Sequence, residues 1–213
     1  MAARAAGVEE EQALLERAAM QPPITAAASD SCDAGEDSWK IHDSYYWICS
    51  HVTYWVVPEP QPDPVLIIAA YRAHLESIGC EPDEPSFGMA ADYWATMRVA
   101  GENAHGEPYT VDSLPDVFAT CGEDRRRVSL RFGTAAGVKG DALLFAFGGE
   151  EVIEQTPFDR AALQANTTPL VVTLTVGTKY HKISRYEDDE PDEPASPLGC
   201  ACYSGSTCDC PGG

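Results

Sequence analysis

The sequence is poor in the long apolar runs that a lipid bilayer demands. Its longest unbroken stretch, Val65 to Tyr71, has seven residues, whereas a spanning helix needs about 20, so no transmembrane segment is expected. Positive charge is scarce as well. Lys and Arg total 14 against 34 Asp and Glu, a net charge of −20, which opposes attraction to nucleic-acid phosphates and to anionic lipid. No nucleic-acid partner is therefore expected. Catalytic signatures are missing too: there is no Gly-x-Ser-x-Gly, no His-Glu-x-x-His and no Gly-rich loop followed by Lys-Ser or Lys-Thr. An export signal is not visible either. Met1 to Gly7 holds one Arg, and Val8-Glu9-Glu10-Glu11 is acidic where a signal peptide carries its apolar region. Either the chain is cytoplasmic or its start codon lies downstream of the true one.

What is present is the composition of a globular protein. Apolar residues make up 44% and charged residues 23%, which excludes collagen, a coiled-coil rod and a wholly disordered chain. A length of 213 residues fits one domain with tails. Eight cysteines are more than a cytosolic protein usually carries. Cys32, Cys49, Cys80 and Cys121 are spread through the apolar part of the chain, near the ends of expected elements. An even number there suits disulfides, and the competing reading is buried thiols acting as small apolar side chains. Four such cysteines allow three pairings, among which the sequence does not choose. Cys32–Cys49 with Cys80–Cys121 is the working expectation.

Along the chain, Glu9 to Met20 reads as a helix with Ala13, Leu14, Leu15 and Ala18 on one apolar face. Pro22-Pro23 ends it, and Ile24 to Asp37 is small and polar enough for a linker. Residues 1–38 are thus expected to be a helical lead-in and linker. Tyr45 to Val57 is aromatic and β-branched, as a strand should be, with Pro58 and Pro60 closing it. Asp63-Pro64 starts a helix: Asp accepts from exposed N–H groups, and Pro needs no donor at the first helical position. Leu66, Ala70, His74 or Leu75, and Ile78 recur at helical spacing, and Gly79 supplies the stop.

Tyr93 to Val99 and Tyr109 to Val111 read as strands, and Leu114 to Thr120 as a short helical turn. Arg127 to Phe132 alternates, with Val128, Leu130 and Phe132 on one face and Arg127, Ser129 and Arg131 on the other. Ala142 to Phe147 suits a buried strand. Phe158 to Ala165 reads as a brief helix capped at Asp159. Leu170 to Val176 alternates with Thr173 and Thr175 on the wet side, and Tyr180 to Tyr186 returns as its hairpin partner. The expected fold is α+β, a mainly antiparallel sheet packed with one long helix, over residues 39–186. Glu187 to Pro194 has six acids in eight residues and two prolines, so residues 187–213 are expected to be a disordered, acidic, Cys-rich tail.

That tail holds the most specific motif. Cys200, Cys202, Cys208 and Cys210 form two Cys-x-Cys units five residues apart, a set able to converge on Zn²⁺ or Cu⁺. Adjacent acids disfavour the thiolates, and disulfides within the tail or with other molecules compete. Ser204, Ser206 and Thr207, interspersed with thiols, also suit thioether-forming modification of a precursor peptide. Elsewhere, His51 lies two residues from Cys49 and with Cys80 or Cys121 would make a metal or nucleophile site. A hydrogen-bonded core or surface histidine is the plainer reading. Arg125, Arg126, Arg127 and Arg131 form the basic cluster, expected to pair with acids such as Glu123 and Asp124 or with the acidic spacer; an anionic partner is the alternative. Gly148-Gly149-Glu150-Glu151 reads as a solvated strand start.

The spacer around Asp30-Ser31-Cys32-Asp33, the strand with Cys49, the Asp63-Pro64 helix ending in Gly79-Cys80, and the ending Cys202-Tyr203-Ser204-Gly205-Ser206…Cys210-Pro211-Gly212-Gly213 form a recognisable arrangement. It resembles the secreted or lipoprotein-like small α+β proteins of streptomycete-type actinobacteria. The resemblance covers about half of the chain and implies an envelope location with no assigned activity. The expected function is a non-catalytic envelope or extracellular domain binding a protein or small molecule. The alternatives are a cytoplasmic thiol protein with a metal-binding or exchange-active tail, and a precursor of a modified peptide.

Overall fold

The computed structural model describes residues 2–35, 43–102, 106–138, 151–184, 201–203 and 207–209. In chain order its regular elements are α1 (Ala2–Ala18), β1 (Thr25–Ala34), β2 (Tyr45–Glu59), α2 (Pro64–Ser77), β3 (Cys80–Pro82), α3 (Glu84–Ala100), β4 (Val117–Cys121), β5 (Arg126–Gly133), β6 (Glu151–Thr156), α4 (Arg160–Ala165), β7 (Leu170–Ser184), β8 (Ala201–Tyr203) and β9 (Thr207–Asp209). Seven strands form one sheet in the order β3-β4-β5-β7-β2-β1-β6, and every neighbouring pair is antiparallel. The α+β class and antiparallel sheet are as expected. The single long helix is not: four α-helices are present among the described residues.

The sheet is built outward from β2 and β7, which pair from Tyr45↔Ser184 to Glu59↔Leu170. Alternation along them feeds two cores. Trp55, Val57, Leu170, Val172, Leu174 and Val176 face the helices, where Leu14, Leu15, Ile67, Tyr71, Leu75 and Phe87 complete the larger cluster. Tyr54, Val56 and Val171 face the other way, against Phe158 and Leu163 around α4. Each such Leu or Ile removed from water stabilises the fold by about 1.5–3 kcal/mol. β7 is one strand rather than the expected hairpin. Gly177 and Thr178 continue the ladder, and the irregularity is a register shift against β2 between Cys49 and Ser50. β2 likewise continues past Pro58 to Glu59.

Residues 1–38, expected to be a lead-in, carry two elements of the body. α1 begins seven residues earlier than the helix expected from Glu9, as its alanines favour, and docks Leu14, Leu15 and Ala18 into the core. β1 sits between β2 and β6. Its side chains are mostly small and polar, so it is held by backbone pairing on both sides, the Cys32–Cys49 disulfide and the hydrogen bonds of Asp30 rather than by an apolar face. α3 replaces the strand expected at Tyr93 to Val99. Phe87, Ala90, Tyr93 and Trp94 recur at helical spacing against the core, and Asp83 accepts from Ser86 N at 3.0 Å near the helix start. No strand forms at Tyr109 to Val111, and a 3₁₀ turn spans Val111–Ser113. The expected helical turn at Leu114 to Thr120 gives way to β4.

The capping expectations are met. Asp63 accepts from Val65 N at 3.0 Å, Pro64 opens α2, and Gly79 follows it at φ +82°. The buried face of α2, however, is Ile67, Ile68, Tyr71 and Leu75, while Leu66 is 54% exposed. Asp159 caps α4 by accepting from Ala161 N and Ala162 N at 2.9 and 3.1 Å. In the tail, β8 and β9 form a hairpin with Cys202 opposite Cys208. The rest of the expected disordered tail, including Cys200 and Cys210, lies outside the described residues, as do the strand expected at Ala142 to Phe147 and the Gly148–Glu150 turn.

Both expected disulfides are present. Cys32 lies opposite Cys49 on β1–β2, and Cys80 opposite Cys121 on β3–β4, with Cα–Cα distances of 4.0 and 4.1 Å. They close loops of 17 and 41 residues. Restricting the unfolded chain that far is worth about 3 and about 4 kcal/mol respectively. Replacing the Cys80–Cys121 pair by serines is therefore expected to lower the urea unfolding free energy by more than replacing Cys32–Cys49. The reverse order would show that native contacts, and not loop length, set the difference.

Candidate functional site

Two polar constructions stand out from the apolar packing, one on each face of the sheet. On the helix face, α1 crosses β2 and β7 and buries Gly7, Glu11, Leu14, Leu15 and Ala18. A Cβ at Gly7 would stand 2.7 Å from Thr178 Cγ2, so a larger residue there requires Thr178 or the helix to shift. Glu11 is fully buried. Its Oε2 accepts from Thr53 Oγ1 at 2.8 Å and meets His51 Nδ1 at 2.8 Å. Its Oε1 has no hydrogen-bond partner among the described residues.

The ring of His51 lines an open cleft of about 580 Å³ with Arg4, Asp30 and Glu154. Asp30, directly opposite His51 on the β1–β2 ladder and 1% exposed, accepts from Arg4 Nε and, at 2.6 Å, from Tyr180 Oη. Arg4 also donates to Glu154 at 2.9 Å. Its pKa is raised by these hydrogen bonds, to Glu154 first and then to Asp30. Burial, together with the bond to Asp30, pushes the Tyr180 phenol up to about 12. The Arg4, Asp30, Glu154 and Tyr180 set ties α1, β1, β6 and β7 together, and the Glu11, His51 and Thr53 set ties α1 to β2.

On the opposite face, the strand registers compose a row of side chains. Phe118 on β4 pairs with Ser129 on β5, Ser129 with Thr175 on β7, and Thr175 with Tyr54 on β2. This row floors an open groove of about 430 Å³. Arg127 and Arg131 project from β5 on either side of Ser129, about 13 Å apart along the strand, and Lys179 lies at the β7 end. Arg131 donates from Nε and Nη2 to the two carboxylate oxygens of Asp116, both at 2.8 Å. This two-point contact raises its pKa, chiefly through the hydrogen bond. Arg127 stacks its guanidinium 3.6 Å over the centroid of Phe118, a cation–π contact that aims it along the groove. Tyr54, buried beneath, is pushed up to about 12 by loss of solvent.

The expected site residues are distributed differently. His51 is far from Cys80 and Cys121, since β5 and β7 intervene between β4 and β2. Its nearest sulfur on the ladder is Cys49, already bonded to Cys32. It is the hydrogen-bonded histidine of the plainer reading. The basic cluster pairs with acids, though not with Glu123 or Asp124. Arg125 meets Glu81 at 3.6 Å, Arg126 meets Glu10, and Arg131 meets Asp116. Arg127 and Lys179 have no carboxylate partner among the described residues. Of the tail cysteines, Cys202 and Cys208 occupy opposed hairpin positions.

The sequence reading missed Glu11, Phe118 and Tyr54. An acid three and four residues before Leu14 and Leu15, on one helical face, was the available signal for Glu11. No protein-family model, curated protein or solved structure matches the chain. No described helix is long and apolar enough to cross a membrane.

The Glu11 carboxylate serves two donors and has no solvent to fall back on. Glu11→Ala strands His51 Nδ1 and Thr53 Oγ1 beneath α1 and is expected to cost about 3 kcal/mol in urea unfolding. Glu11→Gln, which keeps an acceptor oxygen, is expected to cost less than half of that. Equal losses for the two variants would assign the effect to packing volume rather than to hydrogen bonding.

Proposed function

We propose that this chain is a non-catalytic binding domain of the cell envelope or extracellular space, and that its ligand lies in the groove on the sheet face opposite α1–α3. The observation that carries the reading is the row Phe118–Ser129–Thr175–Tyr54, which forms the floor of a cleft of about 430 Å³. That volume lies within the range of small-ligand sites, about 300–1,000 Å³. Its wall groups are two aromatic rings, several hydroxyls and guanidinium groups fixed by their neighbours, which hold and orient a ligand. The rigid sheet beneath supplies the preorganisation that binding requires. Two disulfides, both buried, support an oxidising compartment. The likeness to envelope proteins of streptomycete-type actinobacteria points the same way.

Filling the groove tests this. The uncharged fluorophore N-phenylnaphthylamine is expected to bind the full chain saturably, and Thr175→Trp, which places an indole on the groove floor, is expected to abolish the saturable signal. An unchanged midpoint of urea unfolding must accompany the loss. Binding that survives the indole would remove the groove as the ligand site.

A second reading has its own support. The register that sets Cys202 opposite Cys208 favours a tail acting through its thiols, as metal ligands for Zn²⁺ or Cu⁺ or in exchange. On that reading zinc titration followed by native mass spectrometry gives a one-to-one complex with the reduced chain. The complex is lost when Cys200, Cys202, Cys208 and Cys210 are changed to serine. A stoichiometry unaffected by those changes excludes the tail as the metal site.

A further inference from the structure

The charge of the groove is opposite in sign to that of the molecule. Arg127, Arg131 and Lys179 line it against the single acid Asp116, a balance of 3 − 1 = +2 within a chain of −20. Asp116 is spent on Arg131, whose fork it occupies at both oxygens. The charge that remains is carried by Arg127 and Lys179. With 34 acids in the chain, pairing these two cations with carboxylates would have been easy. Arg4, Arg72, Arg125, Arg126 and Arg131 are so paired, whereas Arg17, Arg98 and Lys182, like Arg127 and Lys179, have no carboxylate partner among the described residues. Of these, Arg127 and Lys179 stand on the same groove, and their mutual repulsion is relieved when an anion enters between them.

The remainder of the groove constrains what the anion is attached to. Beside Arg127 the Phe118 ring presents apolar surface, with Tyr54 buried beneath the far part of the floor, while Ser129 and Thr175 offer hydroxyls between them. Arg127 is already stacked on Phe118, so its orientation is set before a ligand arrives and little side-chain freedom is lost on binding. From these features we infer that the groove binds a small molecule with an anionic head, a carboxylate, sulfonate or phosphate, and a flat apolar body. The head is held by Arg127 and Lys179, and the body lies along Phe118 towards Tyr54. Arg131, neutralised by Asp116, closes the far end as a hydrogen-bonding wall. The inference rests on the groove being the binding surface and adds the chemistry of what binds there. The chain as a whole, at −20, opposes anion binding, so a preference for the charged form calls for a local cationic site such as this one.

The test compares two dyes with the same ring system on the full chain: anilinonaphthalene sulfonate, which is anionic, and N-phenylnaphthylamine, which is not. The sulfonate is expected to bind at least about tenfold more tightly, the scale of a charge-assisted contact. Its affinity is expected to fall as salt is raised. The double substitution Arg127→Gln, Lys179→Gln is expected to remove the preference while leaving the uncharged dye unchanged. Phe118→Ala is expected to weaken both dyes. Near-ultraviolet circular dichroism shows that each variant keeps its packing. Equal affinities for the two dyes, or a preference that survives the double substitution, would overturn the anionic assignment and leave an apolar groove. If neither dye saturates, or Thr175→Trp affects neither, it is the groove as a binding surface that fails.

Discussion

Everything in this fold is referred to the long antiparallel ladder between β2 and β7. Its register, fixed from Tyr45↔Ser184 to Glu59↔Leu170, decides which side chains face the helices and which face the groove. A slip of one residue would exchange the two sets. Trp55 and Val57 would leave the larger core, and Tyr54 would leave the groove floor. The ladder resists such a slip because both faces are occupied: apolar residues of β7 point into the main core, and Val171, with Tyr54 and Val56, packs against Phe158 and Leu163. The polar groups then take their positions from the same register. Thr175 stands between Ser129 and Tyr54, and His51 stands where Glu11 reaches it.

Local rules read from the sequence held at the helix caps, though not at Pro58 or at Gly177-Thr178, where the strands continue. Asp63-Pro64 and Asp159 cap their helices because a short acceptor before free N–H groups has the same effect in any fold. The alternation in Arg127 to Phe132 separated core from groove correctly; of the two threonines expected on the wet side, Thr175 is half-buried in the groove, whereas Thr173 on the same face is buried. The groove walls on β5 and β7 were thus legible as a polar face before any geometry was known. What was not legible is that this face is concave and shared by four strands, since strand order is a long-range property.

The errors have physical causes too. β1 has no apolar alternation; Thr25 to Ala34 is held by pairing with both β2 and β6, so nothing in its own side chains announces a strand. Tyr93 to Val99 alternates by coincidence, and the longer run back to Phe87 carries the helical period that prevails. Leu66, a strong apolar residue, is exposed because Ile67, Ile68, Tyr71 and Leu75 form the face of α2 turned to the core. Of the sulfur chemistry, the two bonds at Cys32–Cys49 and Cys80–Cys121 are direct cross-strand contacts. Each joins strands already adjacent in the ladder, so the crosslinks reinforce the pairing and do not create it.

Gly7 has a meaning that its sequence context conceals. In a helix rich in alanine, glycine lowers intrinsic helicity by about 1 kcal/mol, and by propensity alone it is the residue an engineer would replace first. Here the missing methyl group sets the spacing between helix and sheet, and that spacing brings the carboxylate of Glu11 down to His51 and Thr53. Local preference and tertiary fit therefore pull in opposite directions at this position, and an alanine there would strengthen the isolated helix while prising it off its bed.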